Sequence, residues 1–252
     1  MDKFFVRFAL QRSLGTFGEA FPYESIMKAE DGEIEAFIEE CDAWQKKQAE
    51  EISTLMDLKS LNGKRVLFVG DSITADRLGY RGIVTKAAGF DSLNAAISGA
   101  VSSDMLRCIK DNVVSFKPEI VSVMLGTNDS LIVADEKNLV SLEEYENNLD
   151  VIIRICKESG ASVIISTLPP TDEKRFAITY KSNNNYNIRR YCDVIRKLAK
   201  KHSVLLNDFS EFIKNEPLEE IIEPDGIHLT PYGHRKFAEK WIEMALTAFL
   251  KR

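Results

Sequence analysis

Short apolar runs alternate with amphipathic stretches over most of the chain, from about residue 64 to the C-terminus. The runs are rich in β-branched residues, which predicts buried strands at 65–69, 92–97, 120–125, 162–166 and 204–206. Between them apolar residues recur at helical spacing, which predicts helices at 73–88, 102–115, 141–159 and 185–201 and a last helix from Pro231. Strands that alternate with helices form a parallel sheet with both faces covered. The pattern therefore predicts an α/β domain with a five-stranded parallel sheet.

The N-terminal region has a different pattern. From residue 33 to 59, apolar residues recur at three- and four-residue steps between Glu and Lys, which predicts an amphipathic helix. Residues 1–60 hold 7 Lys and Arg against 13 Asp and Glu, so this region carries the whole net charge of −6. We therefore interpret 1–62 as an acidic, mainly helical extension and 63–252 as the α/β domain. The apolar stripe of the helix needs a partner surface, and packing on its own domain is favoured over homodimerisation or partial covering of the site.

Composition excludes several classes of protein. Hydrophobic residues at 44% and charged residues at 29% are typical of a soluble globular chain. A negative net charge argues against a nucleic-acid partner, because sequence-independent binding to phosphates needs clustered Lys and Arg.

No stretch approaches the ~20 apolar residues of a membrane span. Arg7 interrupts the apolar start, and no signal-peptide cleavage site follows. We expect a cytoplasmic protein, with secretion open if a leader was removed, and buried free thiols at the four well-separated cysteines.

Polar motifs follow three of the predicted strands, at the sheet edge where parallel sheets bind ligands. The sequence GDS at 70–72 follows the first strand, so Ser72 opens a helix beside free backbone N–H groups at its positive end. Gly99 forms a turn after the second strand, where a backbone N–H can approach a ligand. Asn128, within GTND at 126–129, offers an amide donor after the third strand. Each motif alone has a simpler explanation as a cap or turn, but their convergence favours catalysis.

Asp225 precedes His228 by three residues in a loop that leads into the last helix. In a compact turn the carboxylate can accept from the imidazole, fix its tautomer and stabilise the imidazolium. Of the other two histidines, we interpret His202 as a solvated helix-terminal residue and His234 as structural or surface-exposed. The spacing of His and Cys contains no metal-binding pattern, so we assign no metal ligand.

The blocks GDS, the Gly99 turn, GTND and DGIHLTPYGH (225–234), with TLPPT at 167–171, occur in the order of the SGNH, or GDSL-like, hydrolase family. The resemblance covers about residues 64–250. It implies a flavodoxin-like three-layer αβα sandwich and cofactor-free hydrolysis of esters or thioesters. It also implies a role for each matching residue: Ser72 as nucleophile, the Ser72 and Gly99 N–H groups and the Asn128 side chain as oxyanion donors, His228 as base, Asp225 as its orienter and Asp71 in support. The sequence departs from the family at Asp76, where members often carry glycine, and we expect this to alter the first helix or the pocket mouth.

These residues predict a serine esterase that works through an acyl-enzyme. The polar stretch 181–187 is interpreted either as a solvated loop or as the lining of a hydrophilic mouth, and the second interpretation favours a small acyl group on a carbohydrate. The alternatives are a lysophospholipase or thioesterase for longer chains, an O-acyltransferase, and a non-catalytic binding protein on the same fold. A phosphoaspartyl receiver shares the order of elements but needs paired acids after the first strand and a lysine after the fifth, which this chain lacks.

Overall fold

A central parallel sheet of five strands organises the molecule. The computed structural model describes residues 3–9, 30, 32–134, 137–175 and 185–250. The strands in chain order are β1 (Arg65–Gly70), β2 (Asp91–Asn94), β3 (Ile120–Met124), β4 (Ile132–Ala134), β5 (Lys137–Asn138), β6 (Ser162–Ser166) and β7 (Leu205–Asn207). The main sheet has the order β2-β1-β3-β6-β7, while β4 and β5 pair as a small antiparallel ribbon.

Helices cover both faces of this sheet. They are α1 (Lys3–Ala9), α2 (Glu33–Leu55), α3 (Ser72–Ala75), α4 (Tyr80–Ala88), α5 (Ser102–Phe116), α6 (Leu142–Glu158), α7 (Asn185–His202), α8 (Phe209–Phe212), α9 (Leu218–Ile221) and α10 (Pro231–Leu250), with a 3₁₀ turn at Lys59–Leu61. Helix α4 packs against α2 and α10, and α6 packs against α5 and α7, so the two groups form separate layers. The predicted three-layer α/β fold is confirmed, and its strand order is of the flavodoxin type.

The predicted strands have buried side chains on both faces of the sheet. All five residues of β3 are buried, as are five of the six in β1. Trp241 of α10 packs beneath the sheet, where its indole N–H donates to Ser122 Oγ at 2.9 Å. Burial of such apolar strands contributes about 25 cal/mol per Å² of apolar surface removed from water. This core fixes the sheet edge on which the polar motifs converge.

The prediction of one helix over 73–88 is wrong. The structure divides the segment into α3 and α4, because Asp76 leaves the helical conformation at φ −45° and ψ 128°. Its carboxylate accepts from the N–H of Leu78 at 2.8 Å, and its carbonyl accepts from the N–H of Gly79 at 2.9 Å. The resulting turn separates the short helix of Ser72 from the longer α4. The second strand also ends earlier than predicted, at Asn94.

The predicted amphipathic helix of the extension is α2, and its apolar stripe packs on the domain as favoured. The Gln45 side chain donates to the carbonyls of Arg77 at 2.7 Å and Gly79 at 3.2 Å. Gly82 of α4 makes room for it, since a Cβ there would lie 2.1 Å from the Gln45 amide nitrogen. Apart from α1, most of residues 1–32 lies outside the described part of the chain. None of the described helices combines the length and apolarity needed to cross a membrane.

Candidate active site

Ser72 is the first residue of α3, directly after β1 and a one-residue turn at Asp71. The Asp71 side chain caps this helix by accepting from the N–H of Ile73 at 3.0 Å. Gly70 allows β1 to pack closely against α3 and β3 here, because a Cβ would lie 2.1 Å from Thr74 Oγ1 and 2.9 Å from the Met124 carbonyl oxygen. The expectation that a long helix supplies a dipole behind Ser72 is wrong, since α3 is a single turn. The turn supplies the backbone N–H of Ser72 instead, because the N–H groups at the start of a helix have no carbonyl partner within that helix.

A continuous chain of hydrogen bonds joins the three residues predicted to act together. Ser72 Oγ lies 2.8 Å from His228 Nε2, and His228 Nδ1 lies 2.5 Å from Asp225 Oδ2. The other carboxylate oxygen, Asp225 Oδ1, accepts from the N–H groups of Ile227 at 3.0 Å and His228 at 3.1 Å. The compact turn expected from the three-residue spacing is therefore present, and it places the imidazole between hydroxyl and carboxylate. This is the arrangement in which histidine can take the proton of a serine.

Asp225 stays ionised in this arrangement. Burial by itself would raise the pKa of its carboxyl, but the hydrogen bond and charge of His228, with the two backbone N–H groups, hold the pKa below the ordinary value. An ionised acceptor keeps the proton of the neutral imidazole on Nδ1, so that Nε2 faces Ser72 with its lone pair. Asp225 thus gives His228 the tautomer that a general base requires.

Two loops hold the predicted oxyanion donors, and the structure ties these loops together. The Asn128 side-chain amide donates to the Ala100 carbonyl at 3.0 Å, and both carboxylate oxygens of Asp129 accept from the Ser102 N–H, at 3.0 and 3.1 Å. Gly99 has φ +77°, a conformation that side chains with a Cβ rarely adopt. The loop of Gly99 starts beside the nucleophile turn, because Ile97 N–H donates to the Gly70 carbonyl at 3.1 Å. These links bring all three motifs to one edge.

We expect Asn128→Ala to lower kcat for an acetyl ester by roughly 10²–10³-fold with little change in KM. One amide N–H of Asn128 is used by Ala100, and the other is the donor that we assign to the oxyanion. The matched control is Asn138→Ala, since Asn138 also donates to a loop carbonyl, that of Ser130 at 2.8 Å, but outside the catalytic set. Steady-state kinetics on both variants checks this, and equal losses would remove Asn128 from the oxyanion hole.

Asp71, predicted to support the nucleophile, is a buried carboxyl with an incomplete set of partners. Its side chain has no exposed surface, and no described residue hydrogen-bonds to Oδ2. Burial raises the pKa of Asp71 to about 7, although the hydrogen bond from Ile73 N–H and the charge of His228 act in the opposite direction. Ionising this group inside the protein is therefore unfavourable.

This burial predicts a pH dependence of stability. The folded state holds a proton on Asp71 up to about pH 7, whereas an unfolded chain releases it near pH 4, so ionisation of Asp71 lowers stability as pH rises from about 4 to above 7. Asp71→Asn keeps an acceptor for Ile73 and should match the parent near pH 4 but exceed it at pH 8 by on the order of 2 kcal/mol. Denaturant unfolding at both pH values tests this, with Asp111→Asn as an exposed control. A variant less stable than the parent at pH 8 would contradict it.

His234 is structural, as interpreted, and Asp76 explains why. The ring is fully buried, with Nε2 2.9 Å from Asp76 Oδ2 and Nδ1 accepting from Tyr80 N–H at 3.2 Å. Burial lowers the pKa of His234, consistent with a neutral ring that donates only through Nε2. Burial would raise the pKa of Asp76, but His234 and Arg7 outweigh it and hold the pKa at about 2. Asp76 therefore shapes the first helix, as expected, but is buried instead of standing at the mouth.

The structure also places His202 and the cysteines that the sequence analysis considered. His202 ends α7 and lies 2.7 Å from Asp150. Within the described ranges, no group of three or more His, Cys, Asp or Glu side chains is placed to hold a metal ion. The four cysteines are free, and all but Cys108 are buried. Most of the polar stretch 181–187, up to residue 184, lies outside the described part of the chain.

Helix α1 belongs to the site as well, although the sequence analysis assigned it no role there. The ring of Phe8 lies against the imidazole of His228, with centroids 4.1 Å apart. Arg7 binds Asp76, which follows the short helix of Ser72, and Glu223, which precedes the loop of Asp225 and His228. In the sequence, the sign of this role is that Arg7 is a charged residue inside an apolar patch. That pattern does not indicate the distant partners of Arg7.

Comparison with known proteins shows which family this chain matches. Residues 68–236 match the model of the GDSL-like Lipase/Acylhydrolase family. The chain is 29% identical to the uncharacterized lipoprotein YqeF of Bacillus subtilis, over 58% of this chain and 69% of that protein. It is 27% identical to an arylesterase of Vibrio mimicus (70% and 85% covered) and 25% identical to an acetylxylan esterase of Geobacillus stearothermophilus (73% and 95% covered). A solved structure of a catalytic mutant of an acetylxylan esterase from Geobacillus stearothermophilus superposes with a TM-score of 0.60 at 23% identity, over 73% of this chain and 94% of that one, and so shares the fold.

Proposed function

Because this chain belongs to the GDSL-like lipase/acylhydrolase family and is a carboxylic ester hydrolase, we propose that Ser72 is its nucleophile and that short acyl esters are its substrates. The observation that carries the first part is the hydrogen-bonded chain from Ser72 Oγ through His228 to Asp225. A serine that merely capped α3 would need neither an imidazole at 2.8 Å nor an ionised carboxylate behind it. Asp71, not Ser72, in fact caps that helix.

The proposed reaction has two acyl transfers. His228 Nε2 takes the Ser72 proton as Oγ attacks the ester carbonyl, and the oxyanion is bound by the N–H groups of Ser72 and Gly99 and by the Asn128 amide. As the tetrahedral intermediate collapses, the proton on Nε2 passes to the leaving alcohol. Water then enters, gives a proton to Nε2 and attacks the acyl-enzyme, which releases the acid and restores Ser72. Asp225 stabilises the imidazolium in both halves.

The proposed substrate class is supported by the relatives and by the polar composition of residues 181–187 in the sequence. The acetylxylan esterase is matched over almost its whole length, and the arylesterase over 85% of its length. Both names describe esters whose acyl or alcohol part is compact, in contrast to a long-chain lipid. We therefore propose acetylated carbohydrates as the favoured substrates of this chain.

A two-dimensional panel of esters tests the substrate class. One axis varies the acyl group from acetyl to palmitoyl on p-nitrophenol, and the other varies the acetylated alcohol from glycerol to xylo-oligosaccharide, with a lysophospholipid and an acyl thioester added. We expect the highest kcat/KM for acetyl esters, with the acetylated sugar above glycerol triacetate. Product analysis with added alcohol acceptor separates hydrolysis from acyl transfer. A preference for palmitoyl esters or the lysophospholipid would overturn the proposal, and Ser72→Ala enzyme prepared identically controls for contaminating esterases.

A further inference from the structure

Helix α1 binds the two elements that carry Ser72 and His228, although these elements come from distant parts of the chain. The guanidinium of Arg7 binds both carboxylate oxygens of Asp76, through Nε at 3.1 Å and Nη2 at 2.5 Å. Its Nη1 binds the carboxylate of Glu223 at 2.6 Å. One arginine therefore pairs with an acid of each element, and such bidentate pairs with carboxylates are directional.

The first acid, Asp76, stands directly after the single-turn helix that Ser72 begins. Its backbone N–H donates to the Ser72 carbonyl at 2.8 Å, which closes that turn. The carbonyl of Arg7 also accepts from the N–H of Arg77 at 3.0 Å, so α1 holds the end of this turn through both side chain and backbone. A displacement of Asp76 is thus passed to Ser72 through one hydrogen-bonded helical turn.

The second acid, Glu223, stands at the start of the loop that carries His228. Its N–H donates to the His228 carbonyl at 2.8 Å, and its carbonyl accepts from the N–H of Gly226 at 2.9 Å. Nη2 of Arg7 also donates to the Leu229 carbonyl at 3.2 Å. The guanidinium therefore binds this loop at residues before and after His228 in the chain.

The cation of Arg7 is needed to balance the two acids. The side chains of Arg7 and Asp76 are 7% and 0% exposed, and that of Glu223 is 15% exposed. Burial by itself would lower the pKa of the guanidinium, but the charges and hydrogen bonds of Asp76 and Glu223 outweigh it and hold the pKa above its ordinary value. Removal of the cation would leave two carboxylates of like charge close together and poorly solvated, which drives their elements apart.

Resting on the proposed roles of Ser72 and His228, we propose that Arg7 is a positioning residue of the esterase reaction, which sets the distance between nucleophile and base by binding the elements of both. Transfer of the serine proton needs hydrogen-bond distance, which is 2.8 Å here, and a displacement of about 1 Å can lower a rate by roughly 10²-fold. The N-terminal extension thereby belongs to the catalytic apparatus, although it lies outside residues 68–236 that match the family model.

Steady-state kinetics with p-nitrophenyl acetate tests this, at a temperature where thermal unfolding shows every variant to be folded. We expect Arg7→Ala to lower kcat by roughly 10–10²-fold. KM should change by less than about threefold, because the guanidinium is buried between protein groups and the change affects proton transfer, not contacts with the ester. Arg7→Lys keeps the charge but not the planar fork, and should recover only part of the lost kcat.

The matched control is Arg196→Ala. Nε and Nη2 of Arg196 bind the two carboxylate oxygens of Asp208, each at 2.8 Å, which is a second bidentate pair. Its other described partners are Asp193 and Ser210, so none of its described hydrogen bonds involves the turn of Ser72 or the loop of His228. This variant should be less stable than the parent but keep kcat within about twofold.

Glu223→Gln tests the same claim where Arg7→Ala does not fold, because the Glu223 side chain is partly exposed and its loss leaves the pair of Arg7 and Asp76 in place. It weakens the link to the loop of His228 and should lower kcat by about tenfold without raising KM. Since Glu223 acts through Arg7, the double variant Arg7→Ala/Glu223→Gln should be no slower than Arg7→Ala alone.

An unchanged kcat in Glu223→Gln, an equal loss of kcat in Arg196→Ala, a rise in KM alone, or losses that multiply in the double variant would overturn the proposal. Ser72→Ala assayed in parallel separates this failure from failure of the proposed function. An inactive Ser72→Ala beside an unchanged kcat in Arg7→Ala and Glu223→Gln contradicts only the role of Arg7. An active Ser72→Ala contradicts the mechanism on which that role rests.

Discussion

Ser72→Ala is expected to lower kcat for an acetyl ester by about 10⁴-fold or more while leaving the fold intact. The Oγ of Ser72 is the atom that forms the covalent bond in the proposed reaction, and it lies 2.8 Å from His228 Nε2. Because Asp71 supplies the cap of α3, alanine at position 72 removes no capping hydrogen bond. KM should change little, since the ester is held by the surrounding loops.

The control for this variant is Ser115→Ala, an exposed serine of α5 whose Oγ donates only to the Asn112 carbonyl among described contacts. It should retain full activity. Activity is followed with p-nitrophenyl acetate, with thermal unfolding as the check on folding. If Ser72→Ala kept more than about a tenth of the parent kcat, a nucleophile at this position would be excluded.

His228→Ala is expected to cost about as much, roughly 10⁴-fold in kcat, because the hydroxyl of Ser72 then has no base. The sharper expectation concerns the double variant. Residues that act as one unit lose their contribution together, so Ser72→Ala/His228→Ala should be no slower than either single variant. Independent roles would instead multiply the two losses.

The double-variant cycle uses the same ester and includes His202→Gln as a control outside the catalytic set, which should lose little activity. Multiplication of the single losses would contradict a shared proton-transfer step. A small effect of His228→Ala, with Ser72→Ala inactive, would point to a different base for the same nucleophile.

Most of the fold follows from short-range patterns. The apolar run that forms β6 has the predicted bounds, and β3 differs by one residue, because strands buried on both faces have little polar content to obscure their limits. The small ribbon β4–β5 and the short helices α8 and α9 were not predicted, since elements this short carry too few residues to show a period.

The proximity of the candidate site motifs was predictable because each motif lies directly after a strand or inside a tight turn, so local spacing already indicates which residues meet. Asp225 and His228 are three residues apart, and their contact needs only one turn. Asp76 was expected to alter the first helix, but the form of the interruption was not predictable, because the partners of its carboxylate, Arg7 and His234, are 69 and 158 residues away in the chain. Likewise the contact of Phe8 with His228 depends on where α1 docks, and no periodicity within α1 encodes that position.

Covalent labelling tests the central claim most directly. A fluorophosphonate is incubated with the parent, Ser72→Ala and His228→Ala proteins, followed by intact mass and by mapping of the labelled peptide. The proposed mechanism predicts one label per parent chain on Ser72, none on Ser72→Ala and greatly slowed labelling of His228→Ala. A label on another residue of the parent, or undiminished labelling of Ser72→Ala, would contradict it.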